Sequence, residues 1–182
     1  MITLTSATPA PSFDHPLEML HACHGKILQQ CETLQKLASH LTSNGCDQQA
    51  RQAAQDILRY FDTAGQFHHQ DEEEDVFPAL RRAAGSNQPQ LHDLLGRLLS
   101  EHIVMLGAWN ALRPLLLQVA GGADIRLPET VTAKFIGSYT GHIAVEEGEL
   151  LPLAAQLLNQ QQTIAIGKRM AERRDVKFTA GN

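Results

Sequence analysis

The sequence predicts an all-α protein, an antiparallel four-helix bundle over residues 14–160. A short N-terminal arm (1–13) precedes it, and a basic helix or tail (161–182) follows. Three observations carry this expectation. Apolar residues recur at steps of three and four through long segments, the spacing that gives a helix one apolar face. Proline and glycine divide the chain into four such segments. The two halves of the chain carry matching layouts, as two helical hairpins related by a pseudo-twofold would. Composition agrees, because aromatic residues are only 5% of the 182 while Leu, Ala and Gln are plentiful, which suits helices better than strands.

The first helix is expected from Asp14-His15-Pro16, with Pro16 in the first turn, to a stop at Asn44-Gly45. Its seam is Leu17, Leu20, His24, Ile27, Cys31, Leu34, Ala38 and Leu41. Asp47 caps a second helix that is expected to run on to about Gly85. Gln88-Pro89 opens a third, ending at Gly121-Gly122, with the seam Leu91, Leu95, Leu98, His102, Met105, Trp109, Leu112, Leu116 and Val119. Leu127-Pro128-Glu129 opens a fourth, which passes Pro152 and reaches about Asn159. Beyond it, Lys168 to Arg174 reads equally as a short basic helix or a loose tail.

The halves correspond residue by residue. An offset of 74 places Ile57 on Val131, Phe61 on Phe135, His68 on His142, Glu72 on Glu146, Glu73 on Glu147 and Pro78 on Pro152. An offset of 78 places Leu17 on Leu95, His24 on His102 and Leu34 on Leu112.

Charge and cysteine usage exclude several classes. A net charge of −5 and a pI near 6.0 argue against a nucleic-acid binder, which shows a basic face. No uninterrupted apolar run approaches the roughly 20 residues that cross a bilayer, so no membrane partner is expected. Met1 to Pro11 has neither the basic start nor the apolar stretch of a signal peptide. Cys23, Cys31 and Cys46 are odd in number and form no Cys-x-x-Cys pair, as expected of reduced thiols in a cytoplasmic protein. Oligomeric state is not legible.

Nine histidines are many for this length, and their positions carry the chemistry. His68 and Glu72 are four apart, as are His142 and Glu146, which on a helix puts imidazole and carboxylate on one face. His24 and His102 each interrupt an apolar seam. Taken singly, a seam histidine is more often a hydrogen-bonded core residue, and the acidic run Asp71 to Asp75 a solvated face. Taken together, four imidazoles and two carboxylates inside one bundle are costly unless paired or bound to metal. Two divalent ions, each with two histidines and sharing bridging Glu72 and Glu146, would satisfy every member. Imidazole and carboxylate without thiolate suit iron or manganese, and zinc also. A step of four rotates about 40° past a full turn and a step of five about 140°, so Glu73 and Glu147 are expected to face away. His69, beside the seam, is expected to support a ligand. His15, His21, His40 and His92 fall off the seams or near helix ends.

These residues carry a family resemblance. Leu20-His21-Ala22-Cys23-His24, the run Phe67 to Pro78, Glu101-His102 and the run His142 to Pro152 resemble the hemerythrin, or HHE cation-binding, family over roughly residues 14–160. The resemblance implies a non-haem di-iron centre with carboxylate bridges, able to meet dioxygen, nitric oxide or peroxide. The oxygen-carrying members have a second histidine on the third helix where this chain has Leu106. They also place the fourth-helix bridge where it has Glu147. The set of four histidines and two glutamates is more similar to bacterial iron-centre repair proteins of the superfamily, without their N-terminal cysteine-bearing domain.

The expected function is a binding protein whose two iron ions bind, sense or scavenge a small diatomic ligand such as dioxygen, nitric oxide or peroxide, or one that stores iron. Two alternatives stand beside it. One is a ferritin-like oxidase or peroxide-consuming enzyme, for which only Glu18-x-x-His21 of the usual doubled Glu-x-x-His pattern is found. The other is a plain helical interaction protein. Ile27, Cys31, Phe61, Met105, Trp109 and Phe135 are expected to form an apolar pocket on one side of the metal layer. Glu73, Glu74 and Glu147 are expected to charge the other side.

Overall fold

The computed structural model describes residues 12–178, so most of the expected N-terminal arm and residues 179–182 lie outside the described residues. Helix α1 (Pro16–Asn44) begins with its proline in the first turn, where the missing N–H is not needed. It ends at Gly45, whose φ of 74° is left-handed and favours glycine. Asp47 caps α2 (Gln48–Phe61), accepting from the Ala50 N–H at 2.9 Å.

The second rod is not the single continuous helix expected. Asp62 and Thr63 interrupt it, and α3 (Ala64–Gln70) restarts with the Thr63 carbonyl accepting from Gln66 and Phe67 N–H. Asp62 instead accepts from Trp109 Nε1 at 3.2 Å and from Arg113 Nε at 2.9 Å, which pins the break to the third rod. A π-helical segment (Asp71–Val76) follows, and then α4 (Phe77–Ala84).

The third rod is α5 (Pro89–Ala120), and the fourth is α6 (Glu129–Val145), a second π-helical segment (Glu146–Leu150) and α7 (Leu151–Leu157). Both π segments run into a proline in the first turn of the next helix, Pro78 and Pro152. In an α-helix the proline ring would collide with the carbonyl four residues back and leave it without a donor. A wider turn at that point relieves the conflict. It closes with Phe77 N–H on the Glu72 carbonyl and Leu151 N–H on the Glu146 carbonyl, each a step of five.

The rods pack α1 on α2, α2 on α5, α5 on α6 and α6 on α1, the antiparallel bundle expected, and no strand occurs among the described residues. The chain after it is a helix rather than a tail. Helix α8 (Gln160–Arg173) starts in a capping box of Asn159 and Gln162 and buries Ile166, Gly167, Met170 and Ala171. At Gly167 an added Cβ would lie 1.8 Å from the Phe13 carbonyl oxygen, so only glycine lets the two segments meet.

By length and composition α5 is apolar enough to cross a membrane, reaching a mean hydropathy of 1.4 over 18 residues that polar positions interrupt. Its buried face carries Leu95, Leu98, His102, Met105, Trp109 and Leu112 into the bundle. Two apolar clusters fill the interior. One holds Ile27, Cys31, Phe61, Met105, Trp109 and Phe135, and the other holds Leu20, Val76, Phe77, Leu80, Leu95, Leu98 and Leu150. The polar layer lies between them, since His24 separates Leu20 from Ile27 and His102 separates Leu98 from Met105.

Candidate metal centre

All four rods deliver side chains to this layer. His24 comes from α1, His68 from α3, His102 from α5 and His142 from α6, while Glu72 is the second residue of the first π segment and Glu146 opens the second. None of the six is more than 4% exposed. The structure thus brings together every residue singled out as a candidate ligand. They form two groups, His24, His68, Glu72 and Glu146 in one and Glu72, His102, His142 and Glu146 in the other. Within each group the potential ligand atoms lie within 4.8 Å of one another, and both groups share the two glutamates.

The distances describe one convergent cluster. Glu72 Oε1 is 3.4 Å from His68 Nε2 and 3.8 Å from His24 Nε2, and its Oε2 is 3.4 Å from His102 Nε2. Glu146 is 3.1 Å from both His24 Nε2 and His142 Nε2. His102 Nε2 and His142 Nε2 approach to 3.0 Å. That separation suits adjacent ligands of one ion, whose bonds to nitrogen are about 2.0–2.1 Å for zinc.

The interior atoms are poorly served without a cation. His24 Nε2, both nitrogens of His68 and all four carboxylate oxygens of Glu72 and Glu146 are buried with no hydrogen-bond partner among the described residues. Buried polar atoms in native proteins are nearly always satisfied, and an orphan costs about 1–3 kcal/mol, more if charged. Six of these, all but His68 Nδ1, converge on one centre and fit a site built for cations.

The electrostatics are strained in the same sense. Burial disfavours a proton on His24, but the Glu146 and Glu72 carboxylates outweigh it and raise the imidazole to about 10. His102 and His142 are raised in the same way, against burial, chiefly by Glu72 and Glu146 respectively. Burial holds His68 well below the ordinary imidazole range, with the neighbouring His24 charge adding to it. Glu72 is raised by burial and by Glu146, whereas Glu146 is lowered because His142 and His24 overcome its burial.

Three carboxylates, Glu73 and Glu147 expected to face away and Glu101 with them, hold the imidazoles from behind. His102 Nδ1 donates to Glu73 at 2.6 Å, His24 Nδ1 to Glu147 at 2.5 Å, and His142 Nδ1 to Glu101 at 2.9 Å. Glu73 and Glu147 do point away from the centre. Each then reaches the far nitrogen of a histidine on the adjacent rod. The signal available was the doublets, Glu72-Glu73, Glu146-Glu147 and Glu101-His102. The charged side expected opposite the Trp109 cluster is corrected accordingly: an apolar cluster lies there, and Glu73 and Glu147 flank the layer laterally.

The remaining histidines divide. His69 stacks on the His102 ring, with centroids 4.2 Å apart and planes 15° apart, and its Nε2 is without a partner. Burial and the His102 charge hold it down to about 3. His21 Nδ1 joins Glu147 at 2.8 Å, His40 pairs with Asp47, and His92 donates to the Gly85 carbonyl. The lone Glu18-x-x-His21 therefore supplies the centre only with an indirect tie through Glu147.

The six apolar residues expected on one side all lie in the first cluster. Phe61 is its hub, 5.3 Å from the Trp109 ring and 4.9 Å from Phe135. A cleft of about 230 Å³ opens beside it, lined by Phe61, Gly65, Gln66, His69, Trp109 and Tyr139, with Leu106 at its rim.

Similarity to known proteins agrees with this geometry. A Haemophilus influenzae protein, described as uncharacterized, is 33% identical over 166 residues, 91% of this chain and 94% of its own length. The family model of the hemerythrin HHE cation binding domain matches residues 15–154, which take in all four rods and the whole polar layer. The chain belongs to the hemerythrin HHE cation-binding family.

Proposed function

We propose that the chain is a non-haem dinuclear metal protein, loaded with two iron ions, that binds, senses or scavenges a small molecule such as dioxygen, nitric oxide or peroxide. Manganese or zinc would fit the same donors. His24 and His68 would hold one ion and His102 and His142 the other, with Glu72 and Glu146 available to both. The observation that carries this reading is the set of orphaned buried atoms on His24, His68, Glu72 and Glu146, the two glutamates being common to both four-residue groups.

Bound iron would supply open coordination positions and one-electron chemistry. The chain's own residues do the rest. Glu73, Glu101 and Glu147 orient three imidazoles and fix their tautomers. The Phe61, Trp109 and Phe135 rings keep one side of the layer dry, which favours an uncharged ligand over anions. The cleft beside Trp109 and His69 offers a way in from the surface.

Two measurements test the reading. Metal analysis of protein purified without chelator is expected to find iron near two per chain. Adding nitric oxide or dioxygen to the reduced, iron-loaded chain is expected to give new absorption bands at a stoichiometric ligand ratio. Iron that turns over peroxide catalytically without a stable adduct would instead favour the oxidase alternative. Absence of bound metal would leave only the helical interaction protein.

A further inference from the structure

Three of the four central imidazoles are backed by a carboxylate, and one is not. Glu73 backs His102, Glu101 backs His142 and Glu147 backs His24. His68 is 1% exposed, and neither of its nitrogens has a hydrogen-bond partner among the described residues. These four divide unevenly: the group with His102 and His142 has both rings backed, and the group with His24 and His68 has one. We infer that the two cation positions are unequal, the His102–His142 position filling first and holding its ion more tightly, with the His24–His68 position exchangeable. This inference rests on the dinuclear reading above.

The cause is what a carboxylate does at Nδ1. It accepts a hydrogen bond from Nδ1–H and so keeps the ring proton on that nitrogen, which leaves the Nε2 lone pair free to face the ion, and it fixes the ring and raises its basicity. Partners of this kind are worth about 10–100-fold in metal affinity. Total nearby charge does not explain the difference. Glu101 also takes Arg97 at 2.8 Å, and Glu147 also takes His21 at 2.8 Å, so each shares its charge with a neighbour. What separates the positions is the number of rings so held.

Geometry points the same way. His102 Nε2 and His142 Nε2 already converge to 3.0 Å, so little movement separates the metal-free rings from a pair of ligands. His24 and His68 meet edge to face, centroids 4.9 Å apart, and among the described residues no hydrogen bond holds the His68 ring. It can turn aside without breaking a hydrogen bond. A protein carrying one ion is thus a defined species, and metal exchange proceeds at His68.

The test titrates metal-free full-length protein with cobalt(II) without oxygen. It follows the cobalt absorption and locates the first equivalent by anomalous diffraction. Two steps are expected, about 10–100-fold apart in affinity, with the first ion between His102 and His142. Glu101→Gln is expected to weaken the first step by about tenfold or more, and Glu147→Gln the second. Both carboxylates are part-exposed, at 29% and 32%, so the substitutions leave the core untouched, and melting of the metal-free variants checks this. The wild-type diffraction result stands without either variant. Cobalt spread evenly at one equivalent, or lodged between His24 and His68, would overturn the inference and leave two-ion binding intact. So would Glu101→Gln acting on the weaker step. Saturation at one ion or none would instead overturn the dinuclear reading itself.

Discussion

Arg174, at the end of α8, reaches the fully buried carboxylate of Asp71 at 2.6 Å, one residue before Glu72. Arg173 joins it on Asp71 and also bonds Glu74 at 2.9 Å and Asp75 at 2.8 Å, while Arg169 pairs with Asp75. The C-terminal helix therefore clasps the π segment that presents Glu72 to the centre. Removing both arginines would strand a buried carboxylate, which costs about 3–5 kcal/mol when a buried pair is broken. Denaturant unfolding of an Arg173→Ala, Arg174→Ala protein is expected to show that loss. Hydrogen exchange should accelerate across 71–76 and 160–173 together. Unchanged stability would mean that the clasp is a surface ornament.

The assignment of bridges separates adjacent glutamates. Glu72→Ala or Glu146→Ala removes an oxygen donor common to both groups, and both ions are expected to be lost. Glu73→Ala removes only the partner of His102 Nδ1, so two ions should remain, with affinity lower by about 10–100-fold at that position. Metal content and competition against a chelator read both outcomes. Loss of both ions from Glu73→Ala, with retention in Glu72→Ala, would reverse the roles.

Metal uptake is expected to release protons. In the metal-free chain Glu146 and Glu72 raise His24 to about 10 against its burial, so the ring is protonated at neutral pH and must lose that proton to ligate. Its folded value lies above the ordinary 6.5, so this charge stabilises the metal-free chain fully below that pH. The contribution fades as pH rises toward about 10. The sign for metal is opposite: apparent affinity climbs with pH over the same window. Calorimetry in buffers of different ionisation enthalpy counts the protons directly, and none released at pH 7 would contradict the expectation.

Trp109 is 6% exposed, packs beside Phe61 and lines the cleft with it. Trp109→Ala is expected to destabilise by about 3–5 kcal/mol, the usual cost of emptying a buried aromatic site. It should also speed oxidation of the reduced iron-loaded centre by admitting water. A folded variant with unchanged oxidation rate would show that this ring does not control access.

Much of the bundle was legible because its cause is local. The seams through Leu20, His24 and Ile27 and through Leu98, His102 and Met105 are read directly from steps of three and four. The proline and glycine stops fall where backbone chemistry requires them. What escaped depends on partners far along the chain. The break at Asp62 answers to Trp109 and Arg113, 47 and 51 positions away. The docking of α8 answers to Asp71, 103 positions before Arg174. Pro78 and Pro152 were visible, but that each widens the turn before it was not. On an ideal helix Glu73 and Glu147 turn outward, and only the neighbouring rod reveals the imidazole nitrogens they hold.

The measurement closest to the central claim is native mass spectrometry of the metal-replete chain beside its Glu72→Ala variant. The dinuclear reading expects two ions on the wild-type chain and none retained by the variant, with both proteins folded by circular dichroism. One ion or fewer on the wild-type chain, or two on the variant, would contradict it.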